Sequence, residues 1–407
     1  MTFGAEFKEG FKLSLAALMA NKARAVLTML GIIIGIISVT MMGAAIEGLT
    51  RAFNNSISAI GADVLYIQKW PWMSGDEWWK YRNRRNIKPE YADIVKKEAR
   101  LAAAVAPTVA RIGTVKYQNK VASSVFVEGT TADYAYVTNM SFDEGRFFTA
   151  VESRGDRPLV VLGGDVANQL FPNQNPDGKI IQINGLSFRV IGVRSKQGSF
   201  LGMFSLDNQV MIPLGQFERI YGTHFQATIN VRVVNQKEMD NAKEELRGIM
   251  RKIRGLSPYQ EDDFSINQQD MLTNAFNKIA GIIGAVGIFV TALSLFVGGI
   301  GIMNIMFVSV TERTKEIGIR KALGARRQTI LVQFLIESTL ICLAGGLVGL
   351  GISYPLSMLV DKFLPTSMPI SLAILGIMIS LAVGVISGII PALRASKLDP
   401  VEALRYE

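Results

Sequence analysis

Residues 279–310 read IAGIIGAVGIFVTALSLFVGGIGIMNIMFVSV, from Ile279 to Val310 without one charged side chain, and residues 311–327 follow at once as TERTKEIGIRKALGARR. A soluble helix keeps a polar face, and this run has none. At 1.5 Å per helical residue it is long enough to cross a hydrocarbon core of roughly 30 Å. Three further stretches are nearly as apolar: Ala25–Ile46, Ile330–Leu359 and Ile370–Leu393. Four membrane-spanning helices are therefore predicted. A length of 407 residues would by itself have allowed a soluble protein equally well.

The formal net charge of +9 acquires its meaning from position. Lys8, Lys12, Lys22 and Arg24 precede the first span. Arg313, Lys315, Arg320, Lys321, Arg326 and Arg327 fill the connection between the second and third, and Arg394, Lys397 and Arg405 follow the fourth. Basic residues gather on the cytoplasmic side of membrane helices, so both termini and the second-to-third connection are expected in the cytoplasm. The basic excess is then topology, and no nucleic-acid partner is expected. A cleaved signal peptide fits poorly, because ~24 residues precede an apolar run of ~20, both longer than such a peptide has.

The same topology places residues 48–275 outside. They hold 28 basic and 24 acidic residues, an ordinary globular surface, and no cysteine. The single cysteine, Cys342, lies in the third span as a small core residue, so no disulfide can form within the chain. Alternation in Asp63–Gln68, Ser123–Glu128, Leu159–Leu162, Ile180–Ile183, Ser187–Val193, Gln209–Ile212, Ala227–Val234 and Phe264–Ile266 predicts strands. Helices are expected at Thr50–Ile60, Pro89–Arg100 and Gln236–Arg254.

The fold class is thus an α-helical membrane protein with four transmembrane helices plus a mixed α+β, two-lobed extracytoplasmic domain. Residues 1–24 form an amphipathic helix, with Phe3, Phe7, Phe11 and Leu15 on one face, lying in the membrane interface or packed on protein. The first span covers 25–47 and the extracytoplasmic domain 48–275, with an inserted lobe at about 130–225. The second span (276–310), a coupling segment (311–329), the third span (330–360), a short outer loop (361–369), the fourth span (370–393) and a cytoplasmic tail (394–407) complete the chain.

No phosphate-cradling Gly-x-x-x-x-Gly-Lys-Ser/Thr run occurs, and His224 is the sole histidine, read as a turn residue. No catalytic, metal or cofactor site is expected in these residues. Trp70, Trp72, Trp78 and Trp79, followed by Tyr81 and the basic Arg82, Arg84 and Arg85, form either an outer contact surface or an excursion folded back on its own domain. In the charged connection, Glu316 and Arg320 stand i to i+4 in the favourable order beside the apolar Ile319, Ala322 and Leu323, and Gly324 is placed to end the helix. A short amphipathic helix at the membrane face is a handle for a partner protein.

The stretch Gly298-Gly299-Ile300-Gly301-Ile302-Met303-Asn304-Ile305-Met306, continuing through Glu312-Arg313, Glu316-Ile317-Gly318-Ile319-Arg320-Lys321-Ala322 and Leu323-Gly324-Ala325, resembles the MacB/FtsX-type ABC transporter permease family. Residues 391–407 resemble that family's ending and Thr28–Gly35 its first span, so the resemblance brackets nearly the whole chain.

The resemblance implies a permease of a bacterial cytoplasmic (inner) membrane that lacks a fused ATPase and recruits a separate ABC ATPase. ATP and Mg would be bound by that partner. Contact with the ATPase would fall on Glu312, Arg313, Glu316, Ile317, Ile319, Arg320, Lys321, Leu323, Gly324 and Arg326. A second permease copy is implied, as a homodimer or a heterodimer, with membrane lipids and an extracytoplasmic adaptor as further partners. Three functions stay open: export of peptides, antibiotics or other amphiphiles; FtsX-like control of a partner such as a cell-wall hydrolase; and Lol-type lipoprotein extraction. Gly31 and Gly35 form a close-approach face, for a dimer or for packing within the subunit. Glu337, roughly 10 Å into the third span by helical rise, is expected either to reach back to Arg326 or Arg327 or to act in signal transfer. Gly345, Gly346, Gly349 and Gly351 are read as tight packing in the third span.

Overall fold

The structure, a computed structural model, describes residues 22–58, 61–73, 78–154, 157–200, 204–362, 366 and 368–405. Residues 1–21 of the expected amphipathic helix, the side chain of Trp78, part of the 361–369 loop and residues 406–407 lie outside the described set. The chain divides into two compact units: Met1–Arg51 with Ile279–Glu407, and Ala52–Lys278.

Four helices, Lys22–Ser58, Gln269–Glu312, Arg327–Val360 and Ile370–Lys397, are each long and apolar enough to cross a membrane. A chain without water to bind its backbone must satisfy every N–H and C=O internally, and a helix does so within one segment. The helices outrun the apolar stretches that betray them. At 44 residues, Gln269–Glu312 extends about 66 Å, more than twice the hydrocarbon thickness.

The helical unit packs through small residues. A Cβ on Gly31 would stand 2.7 Å from the Cα of Gly298, and one on Gly35 2.7 Å from a methyl of Leu295. Both glycines therefore serve close approach between the first and second span helices of one chain. Gly345 and Gly349 face Ile32 and Ile36 of the first helix, while Gly346 faces Ser380 of the fourth. Gly351 meets nothing within 4 Å, so tight packing does not extend to it. Thr40 Oγ1 donates to Ser353 Oγ at 2.9 Å, a buried polar tie between the first and third helices.

The outer unit is built on β1 (Val64–Gln68), β2 (Ala102–Tyr117), β3 (Lys120–Thr130), β4 (Phe142–Gly145), β5 (Leu159–Leu162), β6 (Ile180–Ile183), β7 (Leu186–Arg194), β8 (Ser199–Phe200), β9 (Phe204–Ser205), β10 (Gln209–Pro213), β11 (Thr228–Val233) and β12 (Ser265–Gln268). Ten of these form one sheet in the order β12-β1-β11-β2-β3-β10-β5-β7-β4, with β6 bridging β2 and β7; β8 and β9 make a separate hairpin. β2 is the strand that local sequence conceals. Its Ala102-Ala103-Ala104 start and its Pro107 argue against a strand, yet Pro107 sits opposite Ile229 and its carbonyl accepts from Thr130 Oγ1 at 2.8 Å.

The two largest apolar cores of the outer unit share this sheet. One gathers Leu65, Ile67, Val95, Val105, Ile229, Val231 and the Ala242, Leu246, Ile249 and Met250 face of helix Met239–Arg254, drawing on both ends of the unit. The other runs from Val109 to Ala227, so it begins some twenty residues before the start expected for the inserted lobe, about 130. The long β2 carries Val105 into the first core and Val109 and Val115 into the second. On β3, burial pushes the Glu128 carboxyl up to about 7, outweighing the nearby Arg194 guanidinium and a hydrogen bond from Tyr134.

Candidate coupling surface

The second span helix ends at Glu312, and after the single residue Arg313 the chain starts a new helix, Thr314–Ala322. Arg313 cannot continue the first helix because its backbone has left helical geometry, at φ −103° and ψ 16°. Its guanidinium turns inward and donates to both carboxylate oxygens of Glu337, at 3.3 and 3.4 Å. Glu337 is 1% exposed. The partner of this carboxylate is Arg313, in place of the expected Arg326 or Arg327, which are exposed. The helix break places Arg313 against the third span, whereas Arg326 and Arg327 stand at that helix's own first turn.

Two further ties hold the short helix. Arg320 donates to Glu316 at 2.6 Å and to Gln333 Oε1 on the third span helix at 3.1 Å. Lys321 Nζ donates to the carbonyls of Ser396, at 3.0 Å, and Leu398. Those carbonyls end the fourth span helix, where backbone acceptors lack intrahelical donors and a cation is favoured. Ile317 joins Met306, Val310, Ile330, Phe334 and Ala392 in the buried core of the helical unit.

The helix stops as its glycine requires. Gly324 has φ +96°, its N–H bonds to the Lys321 carbonyl at 3.0 Å, and the Ala325 N–H reaches back to Arg320 at 3.0 Å. This pair of bonds is the Schellman arrangement, for which the left-handed residue is normally glycine. Beyond Lys397, Pro400–Arg405 forms a short helix against Thr314–Ala322, started by Asp399, whose carboxylate accepts from the Val401 N–H at 2.8 Å.

With Thr314, Ile317 and Gly318 buried, the opposite face stays bare. Ile319 is 46% exposed and Leu323 83%, and Ala322, Glu312, Lys315 and Arg326 are exposed as well. Apolar side chains on a helix fixed at three points, rimmed by charges, make a rigid surface suited to another protein. Gln333 and the Ser396 and Leu398 carbonyls were not singled out from sequence. Gln333 stands four residues before Glu337, a polar pair at helical spacing in an apolar span, and that spacing was the available signal.

The chain is similar to known proteins along most of its length. The MacB-like periplasmic core domain matches residues 25–249, and the FtsX-like permease C-terminal domain matches residues 288–400. The ABC transporter permease YknZ of Bacillus subtilis is 33% identical over 406 residues, covering 98% of this chain and 99% of its own. The chain belongs to the MacB/FtsX-type ABC transporter permease family. The macrolide export ATP-binding/permease protein MacB of Bdellovibrio bacteriovorus is 35% identical over 395 residues, which is 96% of this permease but only 60% of that protein. The periplasmic region of MacB from Actinobacillus actinomycetemcomitans aligns with 54% of the permease and 95% of its own chain, at 23% identity and a TM-score of 0.46. The permease is a membrane protein with an extracytoplasmic domain.

The tryptophans lie apart from this surface in sequence and belong to the outer unit. Trp72 donates from its indole to Gln68 Oε1 at 2.9 Å and packs beside Tyr66, and Trp70 offers its carbonyl to Asn267 Nδ2 at 3.0 Å. These two are half-buried and folded onto their own domain, whereas Trp79 is 56% exposed.

Proposed function

We propose that this permease receives the motion of a separate ABC ATPase at the Thr314–Ala322 helix and passes it along its span helices to the outer unit, to export peptides, antibiotics or other amphiphiles. The observation that carries the reading is the bare strip of Ile319, Ala322 and Leu323 on a helix that Arg313, Arg320 and Lys321 tie to the third and fourth spans. A push on that strip displaces the spans directly, since no flexible linker intervenes. The basic residues around it support a cytoplasmic side for the strip and for both termini in this reading, in a bacterial inner membrane. ATP and Mg belong to the partner, because these residues hold no phosphate-cradling loop. A second permease copy completes the transporter, and an extracytoplasmic adaptor takes over the cargo. The export class draws support from relatives named as macrolide exporters.

The test is reconstitution in nanodiscs with the separate ABC ATPase that this reading requires. Leu323→Glu and Ile319→Glu, both on an exposed face, should leave stability within about 0.5 kcal/mol. Each should cut permease-dependent ATPase stimulation at least tenfold. Undiminished stimulation by both variants would remove the strip from the mechanism.

A further inference from the structure

The ten-stranded sheet ends at β12, whose only neighbour among the described residues is β1. Its far side therefore offers backbone donors and acceptors with no strand to take them. That side faces a cleft of about 410 Å³, floored by Phe264, Ser265, Ile266 and Asn267. Helix Met239–Arg254 forms one wall through Lys243 and Arg247, and Tyr81 with Arg84 the other. An open strand edge alongside a helix is the layout in which an extended peptide is held by strand addition.

The charges around the cleft divide into engaged and free. Arg84 stacks on Tyr81 at 4.6 Å and donates to Ser265 Oγ at 2.8 Å and to the Lys69 carbonyl at 3.0 Å, so this wall is fixed. Arg247 is bound to Asp262 at 2.6 Å and pairs with Glu244, which also lines the cleft, at 3.7 Å. Lys243 and Glu261 have no ion-pair partner among the described residues, leaving one cation and one anion facing the cleft. We propose that this cleft binds an extended segment of a partner polypeptide as an added strand on β12, with an acidic side chain of the segment on Lys243 and a basic one on Glu261. The backbone edge supplies affinity for any extended chain, and the two free charges set its direction. The strand leads straight into the helix that begins at Gln269. The inference is independent of where the ATPase docks.

The probe is the heptapeptide Thr-Asp-Val-Thr-Val-Lys-Thr-amide carrying fluorescein on its N-terminal amine, so that its Lys stays charged, titrated by anisotropy against the full chain in nanodiscs. Two versions N-methylated on alternate amides, in opposite phase, separate backbone from side-chain recognition. One phase should bind like the parent and the other at least tenfold more weakly, because alternate amides of a strand point to opposite sides. Lys243→Glu with Glu261→Lys should weaken the parent and favour a peptide with its Asp and Lys exchanged, with unchanged thermal unfolding as the folding control. Equal binding of the two methylated phases, or no saturable binding below about 1 mM, overturns the proposal. So does efficient disulfide formation between two copies of Ser265→Cys that abolishes peptide binding, since the occupant is then a second copy of this chain.

Discussion

Glu337 in the helical unit and Glu128 in the outer unit are both largely buried carboxylates with an arginine at hand, and the surroundings use them differently. Arg313 donates to both oxygens of Glu337, and the pair joins the turn after the second span to the third span helix. Glu128 takes its hydrogen bond from the Tyr134 hydroxyl, while the buried Arg194 nearby leaves its Nε without a hydrogen-bond partner. Burial then dominates and Glu128 stands near 7. A carboxylate bonded directly by a guanidinium becomes a fixed strut. One held by a hydroxyl and a more distant charge stays responsive to pH.

The largest expected effect tests the strut. Glu337→Ala leaves Arg313 without its carboxylate and should cost about 3–5 kcal/mol, read as a fall in the melting temperature of the detergent-solubilised protein. The double variant Arg313→Ala/Glu337→Ala should recover part of that loss, because no uncompensated charge remains. If Glu337→Ala melts like the parent, the contrast between the two carboxylates collapses.

Glu128 comes next. Its value in the folded protein lies above the ordinary 4.5, so its contribution to stability is complete below about pH 4.5 and is lost as pH rises through about 7. Glu128→Gln should therefore flatten the pH profile, with little effect at pH 4 and a relative gain of up to about 3 kcal/mol at pH 8.5. All four tryptophans lie between Trp70 and Trp79, so tryptophan fluorescence follows the outer unit alone. Arg194→Met should sharpen the comparison by moving the Glu128 midpoint above 7, since Arg194 is the charge that pulls it down. The smallest effect belongs to Thr40→Ala, which removes the neutral bond to Ser353 and should cost about 0.6 kcal/mol in the same detergent melt.

The two regions were also unequally legible. Ile279–Val310 announces a helix by composition alone, since a charge-free run in an apolar solvent has no other way to satisfy its backbone. Helix Met239–Arg254 was readable from Ala242, Leu246 and Ile249 on one face. β2 was not: a strand is defined by its partners, and of those of Ala102–Tyr117 only β3 follows directly, while β6 and β11 are distant in sequence and invisible to a local pattern. The second core shared that obscurity, because its first members, Val109 and Val115, lie on β2. At the coupling surface, the Glu316–Arg320 pair and the Gly324 stop depend on neighbours within one helical turn and could be read directly. The link from Arg313 to Glu337 spans a helix break whose angle no local rule supplies.

By itself, then, the sequence determined four apolar helices, the charged segment between the second and third, its apolar strip and its glycine stop. Each of these follows from residues within a few positions of one another. Tertiary structure alone decided that Glu337 answers Arg313, that Gly31 meets Gly298, that Lys321 closes the end of the fourth span and that β12 is left with an open edge. Those outcomes depend on where distant segments come to rest, and that is settled by packing the whole chain.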